Sequence, residues 1–310
     1  MAATSASGLG GAGLRGRRIL VTGASGFLGS NLCRRLADAG AALHGTSRGP
    51  RPNPPTWWQP DLADTASVRQ LFADVKPEIV YHLAGQVTAA PDRDFVLPLF
   101  QSLALSTVNV LLAASESGCR RVVLAASLTE PSAAREAPGS PYAAAKLTAS
   151  LYGRMFNALY GLSVVITRPF VAYGPGQQPG KVIPYVIRSL LRGEPPKLSS
   201  GLLESDWIYI DDVVEGLLRA GQIAGIGGAE IDLGSGERVS LRTVVEKIEA
   251  LIGAPVRPEF GAQAERPLER SPVADTAAAS RILQGWRPVF SLDEGLRRTI
   301  AWLRDSAEER

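Results

Sequence analysis

Cysteine and histidine are nearly missing from this sequence, with two of each in 310 residues. Cys33 and Cys119 stand in no metal-ligand spacing, so no metal centre is expected. They read instead as buried free thiols of a reducing compartment, which makes a cytoplasmic location the expectation. A surplus of charge is missing too. Thirty-three basic residues face 30 acidic ones, for a net charge of +3, too balanced to suggest a nucleic-acid partner. No apolar run approaches the ~20 residues that a membrane helix needs, so no membrane partner is expected either. The opening MAATSASGLGGAGLRGRR has no apolar centre of the kind a secretory leader carries, and residues 1–14 are expected to form a disordered tail.

What the sequence does have is alternation. RRILVTG, ALHGTS, EIVYHLAG, RRVVLAAS and LSVVITRP are short apolar runs. Between them lie stretches with apolar residues at helical spacing, such as NLCRRLADAG, TASVRQLFADV, STVNVLLAASESG and YAAAKLTASLYGRMFNALYG. This β-α-β-α pattern implies a doubly wound α/β fold around a parallel sheet covered on both faces. The Pro-rich stretch 50–60 reads as a loop, with Trp57–Trp58 covering the core. After about residue 175 the pieces shorten and Gly/Pro loops appear. The expectation is a dinucleotide-binding domain over 15–175 and a smaller mixed α/β substrate lobe over 176–310, with later segments free to return to the first domain. The ligand is expected between them, at the carboxyl ends of the strands.

Two constellations carry chemistry. In VTGASGFLGSNL, Gly23, Gly26 and Gly29 fall between a strand and a helix. The first suits a tight turn, the second lets backbone approach a pyrophosphate, and the third lets helix pack on strand. Ser25, Phe27 and Leu28 lie within the same turn and join the expected cofactor contacts. In SPYAAAKLTAS, Tyr142 and Lys146 are four residues apart, on one face of a helix. A nearby ammonium favours phenolate over phenol, so such a tyrosine can exchange a proton with a carbonyl or an alcohol near neutral pH. Ser127, at the end of VVLAAS, can hydrogen-bond the same substrate oxygen. His82, inside an apolar strand, reads as core, and His44 as structural or near an adenine. Asp211 and Asp212 read as a helix N-terminal cap.

These motifs resemble the extended short-chain dehydrogenase/reductases, the family of nucleotide-sugar epimerases, dehydratases and ketoreductases. The resemblance runs from about 17 to 304 and takes in DLAD (61–64), VYHLAG (80–85), RPFVAYGPGQ (168–177), DWIYIDDVV (206–214) and GWRPVFSLDEGLRRTIAWL (285–303). It implies that Asp61 and Leu62 flank an adenine, that Leu83, Ala84 and Gly85 line the cofactor, and that Ser127, Tyr142 and Lys146 are catalytic, with Tyr142 and Lys146 also contacting the cofactor and the lysine able to hold a ribose hydroxyl. It also implies substrate contacts at Gln86, Thr88 and Thr129, with Arg266 and Lys181 as candidates for the substrate diphosphate. A nucleotide-sugar substrate and a homodimer follow from the same resemblance.

The departures narrow the reading. Family dehydratases carry Asp-Glu directly after the catalytic hydroxyl residue, and decarboxylating members a Glu two residues on; Leu128 and Thr129 stand here instead. Val171 and Ser205 replace residues that usually grip the substrate. Ser47 and Arg48 occupy the tip of the second strand, where NAD-binding members place an acid for the ribose diol. A hydroxyl and a guanidinium there suit a 2′-phosphate. The expectation is therefore an NADPH-dependent ketoreductase of a nucleotide-linked 4-keto sugar, with an NAD-dependent 4-epimerase as the alternative. A catalytically silent NADP-sensing protein is the alternative of another class, and the intact Ser127, Tyr142 and Lys146 speak against it.

Overall fold

The structure, a computed structural model, describes residues 13–49, 55–88, 90–131, 136–264 and 272–308. Most of the expected tail lies outside these residues, and Leu14, at its end, is buried. The strands, in chain order, are β1 (Arg18–Thr22), β2 (Ala42–Thr46), β3 (Thr56–Trp58), β4 (Ile79–His82), β5 (Arg121–Ala125), β6 (Val164–Pro169), β7 (Val171–Tyr173), β8 (Lys197–Leu198), β9 (Glu204–Tyr209), β10 (Glu230–Leu233), β11 (Arg238–Ser240) and β12 (Glu259–Phe260).

The chain divides into two compact units. The first comprises Met1–Arg168, Val214–Ile231 and Ile282–Gln284, and the second Pro169–Val213, Asp232–Arg281 and Gly285–Arg310. A seven-stranded sheet runs in the order β10-β6-β5-β4-β1-β2-β3. The pairs β1–β2, β1–β4, β2–β3, β4–β5 and β5–β6 are all parallel. β1 and β4 are neighbours although β2 and β3 intervene in sequence. The strand order reverses there, and a doubly wound sheet opens its ligand crevice at such a reversal.

Burial explains why these runs became strands. Ile19, Leu20, Val21, Val80, Tyr81, Val122 and Val123 are wholly buried, as expected of parallel strands covered on both faces. On one side Leu20, Val80, Val122, Leu124 and Ile166 meet Val68, Leu71 and Phe72 of the helix Thr65–Val75, Val110 and Leu111 of Ser106–Glu116, and Phe156 of Pro141–Tyr160. Trp57 and Trp58 are not in a loop. They pair along β2 as the edge strand β3, in register Gly45 to Trp57 and Thr46 to Trp58. Trp58 Nε1 donates to His44 Nδ1 at 3.2 Å, so His44 is structural.

One run departs from the expectation that nothing approaches membrane-helix length. Arg93–Glu116 forms a 24-residue helical stretch that is long and apolar enough to cross a membrane by length and composition alone. About 44% of its apolar window is buried, and it packs on the helices Pro141–Tyr160 and Thr65–Val75. Over Phe100–Leu105 it widens into a π-type turn.

The second unit holds a three-stranded sheet, β11-β9-β7, and the pair β12–β8. Asp206 on β9 is wholly buried and accepts from Ser235 N (2.6 Å), Ser235 Oγ (2.8 Å), Gly236 N (3.0 Å) and Ala274 N (3.1 Å). Asp212 lies in the first turn of the helix Ile210–Gln222, and its carboxylate takes Val289 N at 3.0 Å and Phe290 N at 3.1 Å. Both acids tie backbone together, and no group of three metal-ligating side chains exists among the described residues.

Candidate active site

The glycine turn has the shape its spacing demands. Gly23 adopts φ +69°, and a Cβ there would stand 2.8 Å from the backbone of Ala84, at the end of β4. A Cβ on Gly29 would collide with the carbonyl oxygen of Gly23 and come within 2.8 Å of Ala24 Cα. Gly26 caps the helix Phe27–Asp38 without any side-chain bond, and no acid stands in that helix's first turn. The helix therefore offers bare N–H groups and the positive end of its dipole to an anion. Ser25 and Gly26 are exposed at that end, and Phe27 and Leu28 are half-buried. A dinucleotide diphosphate fits a cradle that a single methyl group would fill.

The remaining cofactor positions lie along the same sheet ends. Leu83 N donates to Thr22 O at 3.2 Å and Ala84 N to Thr22 Oγ1 at 3.2 Å. Thr22 Oγ1 in turn bonds His82 Nδ1 at 2.8 Å, and His82 Nε2 bonds Thr107 Oγ1 at 3.0 Å. Burial drops the His82 pKa to about 3, so this histidine is a neutral core residue, as its apolar setting suggested. Asp61 is exposed and accepts from Ala63 N at 2.9 Å, while Leu62 packs on the core and its carbonyl accepts from Asn109 Nδ2 at 3.0 Å. Ser47 is buried and turns its hydroxyl onto the carbonyl of Gly49; Arg48 beside it is exposed.

The helix Pro141–Tyr160 starts with strong local signals. Ser140 caps it by accepting from Ala143 N at 3.1 Å, Pro141 takes the first position, and Gly161 ends it in the left-handed region. Tyr142 and Lys146 are thereby set one turn apart. Tyr142 packs with Phe95 against Leu99, Leu103 and Ala145. Lys146 is buried and donates from Nζ to Ala125 O at 2.6 Å, at the end of β5. Two residues further on, Ser127 shares a 2.9 Å hydrogen bond with Thr129 Oγ1 and lies close enough to the Tyr142 hydroxyl to lower its pKa. The strand end and the helix start thus bring Ser127, Tyr142, Lys146 and Thr129 together.

The electrostatics differ from the simple expectation. Burial raises the Tyr142 pKa above the ordinary phenol value, against the lowering effect of the Ser127 hydrogen bond. Burial also pulls Lys146 down to about 8. The lysine spends its contact on a backbone carbonyl and does not, in this arrangement, drive Tyr142 towards phenolate. Sequence reasoning missed one member of the site. Glu130 is buried, and its Oε1 accepts from Ser127 N at 2.7 Å. The signal was Ser127-x-x-Glu130, the spacing of a capping box.

Other expected contacts are scattered. Gln86 is exposed and Thr88 half-buried on the connection after β4, with Thr88 Oγ1 accepting from Ala90 N at 3.2 Å. Lys181 is exposed before the helix Val182–Leu191, in the second unit. Arg266 lies outside the described residues. Val171 and Ser205 belong to β7 and β9.

A strand-end serine and a helix-borne tyrosine beside a dinucleotide cradle make this an oxidoreductase of the short-chain dehydrogenase/reductase type. The model of the NAD dependent epimerase/dehydratase family matches residues 19–234, and the chain belongs to that family. It is 33% identical over 318 residues to UDP-glucose 4-epimerase of Mycolicibacterium smegmatis, across 94% of this chain and 100% of that one. It is also similar to MoeE5, solved in complex with UDP-glucuronic acid and NAD, at 31% identity and TM-score 0.83, covering 93% of this chain and 99% of that one. The Thermus thermophilus UDP-glucose 4-epimerase in complex with NAD matches at 27% identity and TM-score 0.82, over 92% and 98% of the two chains.

Proposed function

We propose that the protein is a nucleotide-sugar 4-epimerase working on a UDP-hexose with NAD retained through the cycle. The observation that carries this reading is the joining of Ser127, Tyr142 and Lys146 at the ends of β5 and the helix Pro141–Tyr160. A bound NAD supplies a hydride acceptor that can also give the hydride back. Tyr142, in its phenolate form, takes the proton from the sugar O4 as the C4 alcohol becomes a ketone, and as the resulting phenol returns it when the ketone is reduced on its other face. Ser127 holds O4 by a hydrogen bond, and Lys146 stands as the buried cation behind them. Leu128 and Thr129 supply no acid for elimination, which argues against dehydration.

The sequence expectation of net reduction by NADPH is the second reading, and the relatives support it less well. Its basis was Ser47 with Arg48. The Ser47 hydroxyl is spent on Gly49, so it offers no donor to a 2′-phosphate, and only the exposed Arg48 still favours one. The purified protein, with no cofactor added, is expected to equilibrate UDP-glucose with its C4 epimer, followed by NMR. Stoichiometric oxidation of added NADPH by a nucleotide-linked 4-keto-6-deoxyhexose, without such equilibration, would reverse the choice.

The reading includes a homodimer in a reducing cytoplasm. Cys33 and Cys119 are buried free thiols, with pKa values raised by burial to about 12 and about 11. The helix Pro141–Tyr160 exposes Leu151, Tyr152, Leu159 and Tyr160, and Val96, Leu97 and Phe100 are exposed on the helical stretch packed beside it. This apolar face is where two copies would join. Light scattering should give twice the chain mass of 32.8 kDa, and Leu97→Asp with Leu159→Asp should return it to one.

A further inference from the structure

We propose that Glu130 is a positioning residue of the catalytic centre, a buried negative charge that fixes Ser127 and sets the pH range over which Tyr142 and Lys146 work. This rests on the assignment of Tyr142 and Lys146 as the proton-transfer pair.

The geometry has two parts. Ser127 and Glu130 exchange a pair of hydrogen bonds: Ser127 N donates to Glu130 Oε1 at 2.7 Å, and Glu130 N donates to Ser127 O at 3.1 Å. This closes a short ring on the residue that ends the strand, so the Ser127 hydroxyl is aimed by backbone held from both sides. The second part is the other carboxylate oxygen. Glu130 Oε2 is fully buried and has no hydrogen-bond partner among the described residues. A capping-box role explains Oε1 and leaves Oε2 without purpose. A glutamine would cap as well, and its amide would avoid placing a charge in a buried site.

The charge is felt by both members of the pair. Glu130 raises the pKa of Tyr142 and that of Lys146, opposing the effect of burial on the lysine. Among the described residues, Glu130 is the charged group that acts on both of them. From β4 the group interacting with Lys146 is His82, which burial keeps neutral through the working pH range. From the helical stretch packed on Tyr142 come Phe95, Leu99 and Leu103, all apolar. From β5, the Ala125 carbonyl accepts from Lys146 Nζ at 2.6 Å. Removing a nearby negative charge lowers the pKa of a phenol and of an ammonium alike. Both limbs of the bell-shaped pH–rate profile therefore move the same way, whichever group owns which limb.

The test is the pH dependence of kcat/KM for nucleotide-sugar turnover in the wild type, in Glu130→Gln and in Glu130→Asp. Gln keeps the Ser127 N–H acceptor and removes the charge; Asp keeps the charge and shortens the reach. Glu130→Gln is expected to move both limbs to lower pH by roughly one unit. Glu130→Asp should lose kcat while its profile stays at the wild-type pH. A Glu130→Gln profile that falls in height and does not move would show a structural residue only and overturn the proposal. Should Glu130→Gln not fold, Glu130→Ala carries the same expectation for the limbs. Tyr142→Phe, run alongside, separates the two claims. If it retains activity the catalytic assignment fails; if it is inactive and the Glu130→Gln limbs are fixed, only the present inference fails.

Discussion

Tyr142→Phe is expected to lower kcat by a factor of about 10² or more, with the affinity for the dinucleotide unchanged. The substitution removes the proton carrier and keeps the ring, which packs on Leu99, Leu103 and Ala145. The cradle that holds the dinucleotide is built from other elements, the β1 turn and the helix Phe27–Asp38. Single-turnover kinetics would separate the two effects. The hydride step should be slow in the variant, while calorimetric titration with NAD should match the wild type. Near-normal turnover in Tyr142→Phe would remove the tyrosine from the chemistry and return the site to the class of non-catalytic dinucleotide sensors.

Gly29→Ala is expected to do the opposite, removing cofactor binding while every catalytic side chain remains. A methyl group at Gly29 meets backbone on two sides, the Gly23 carbonyl and Ala24 Cα. Neither can rotate away as a flexible side chain could. The helix must withdraw from the turn, and overpacking of this kind costs about 1–3 kcal/mol of stability. The same movement takes the free N–H groups away from the diphosphate. A lowered melting temperature together with at least a tenfold loss in NAD affinity, about 1.4 kcal/mol, is the expected pair of results. A stable variant with unchanged affinity would show that helix Phe27–Asp38 does not hold the phosphates.

The parts of the molecule that were legible in the sequence are those where one physical demand acts alone. β1 and β4 are buried on both faces and read as unbroken apolar runs. The glycine turn leaves a signature because steric exclusion by backbone tolerates no substitute. Tyr142 and Lys146 were legible because a helix capped by Ser140 and opened by Pro141 fixes their spacing. Other features answer to more than one demand. β3 was taken for a loop because Thr56–Trp58 is three residues long, follows a Pro-rich stretch and sits at the sheet edge, where patterning is weak. Arg93–Glu116 contains no apolar run near 20 residues, because Gln101, Ser102, Ser106, Thr107 and Asn109 interrupt it, yet the helix as a whole is apolar enough to be measured against a membrane. The Lys146 effect on Tyr142 was misjudged because helical spacing places two side chains near each other and says nothing of where the ammonium finds its acceptor. Glu130 was not legible because it stands three residues after Ser127, beyond the two positions where the dehydratases and decarboxylating members carry their acids.

The burial of Lys146 and Glu130 has a consequence for how this fold can change. A lysine dragged down to about 8 and a carboxylate oxygen with no donor among the described residues are both groups that a folded interior resists. The bonds to Ser127 N and Ala125 O offset only part of that cost. Under the proposed function, this corner of the fold trades local stability for use. Any search for hardier variants that scores folding alone would drift towards replacing Glu130 and Lys146 and arrive at a sturdier, inert protein.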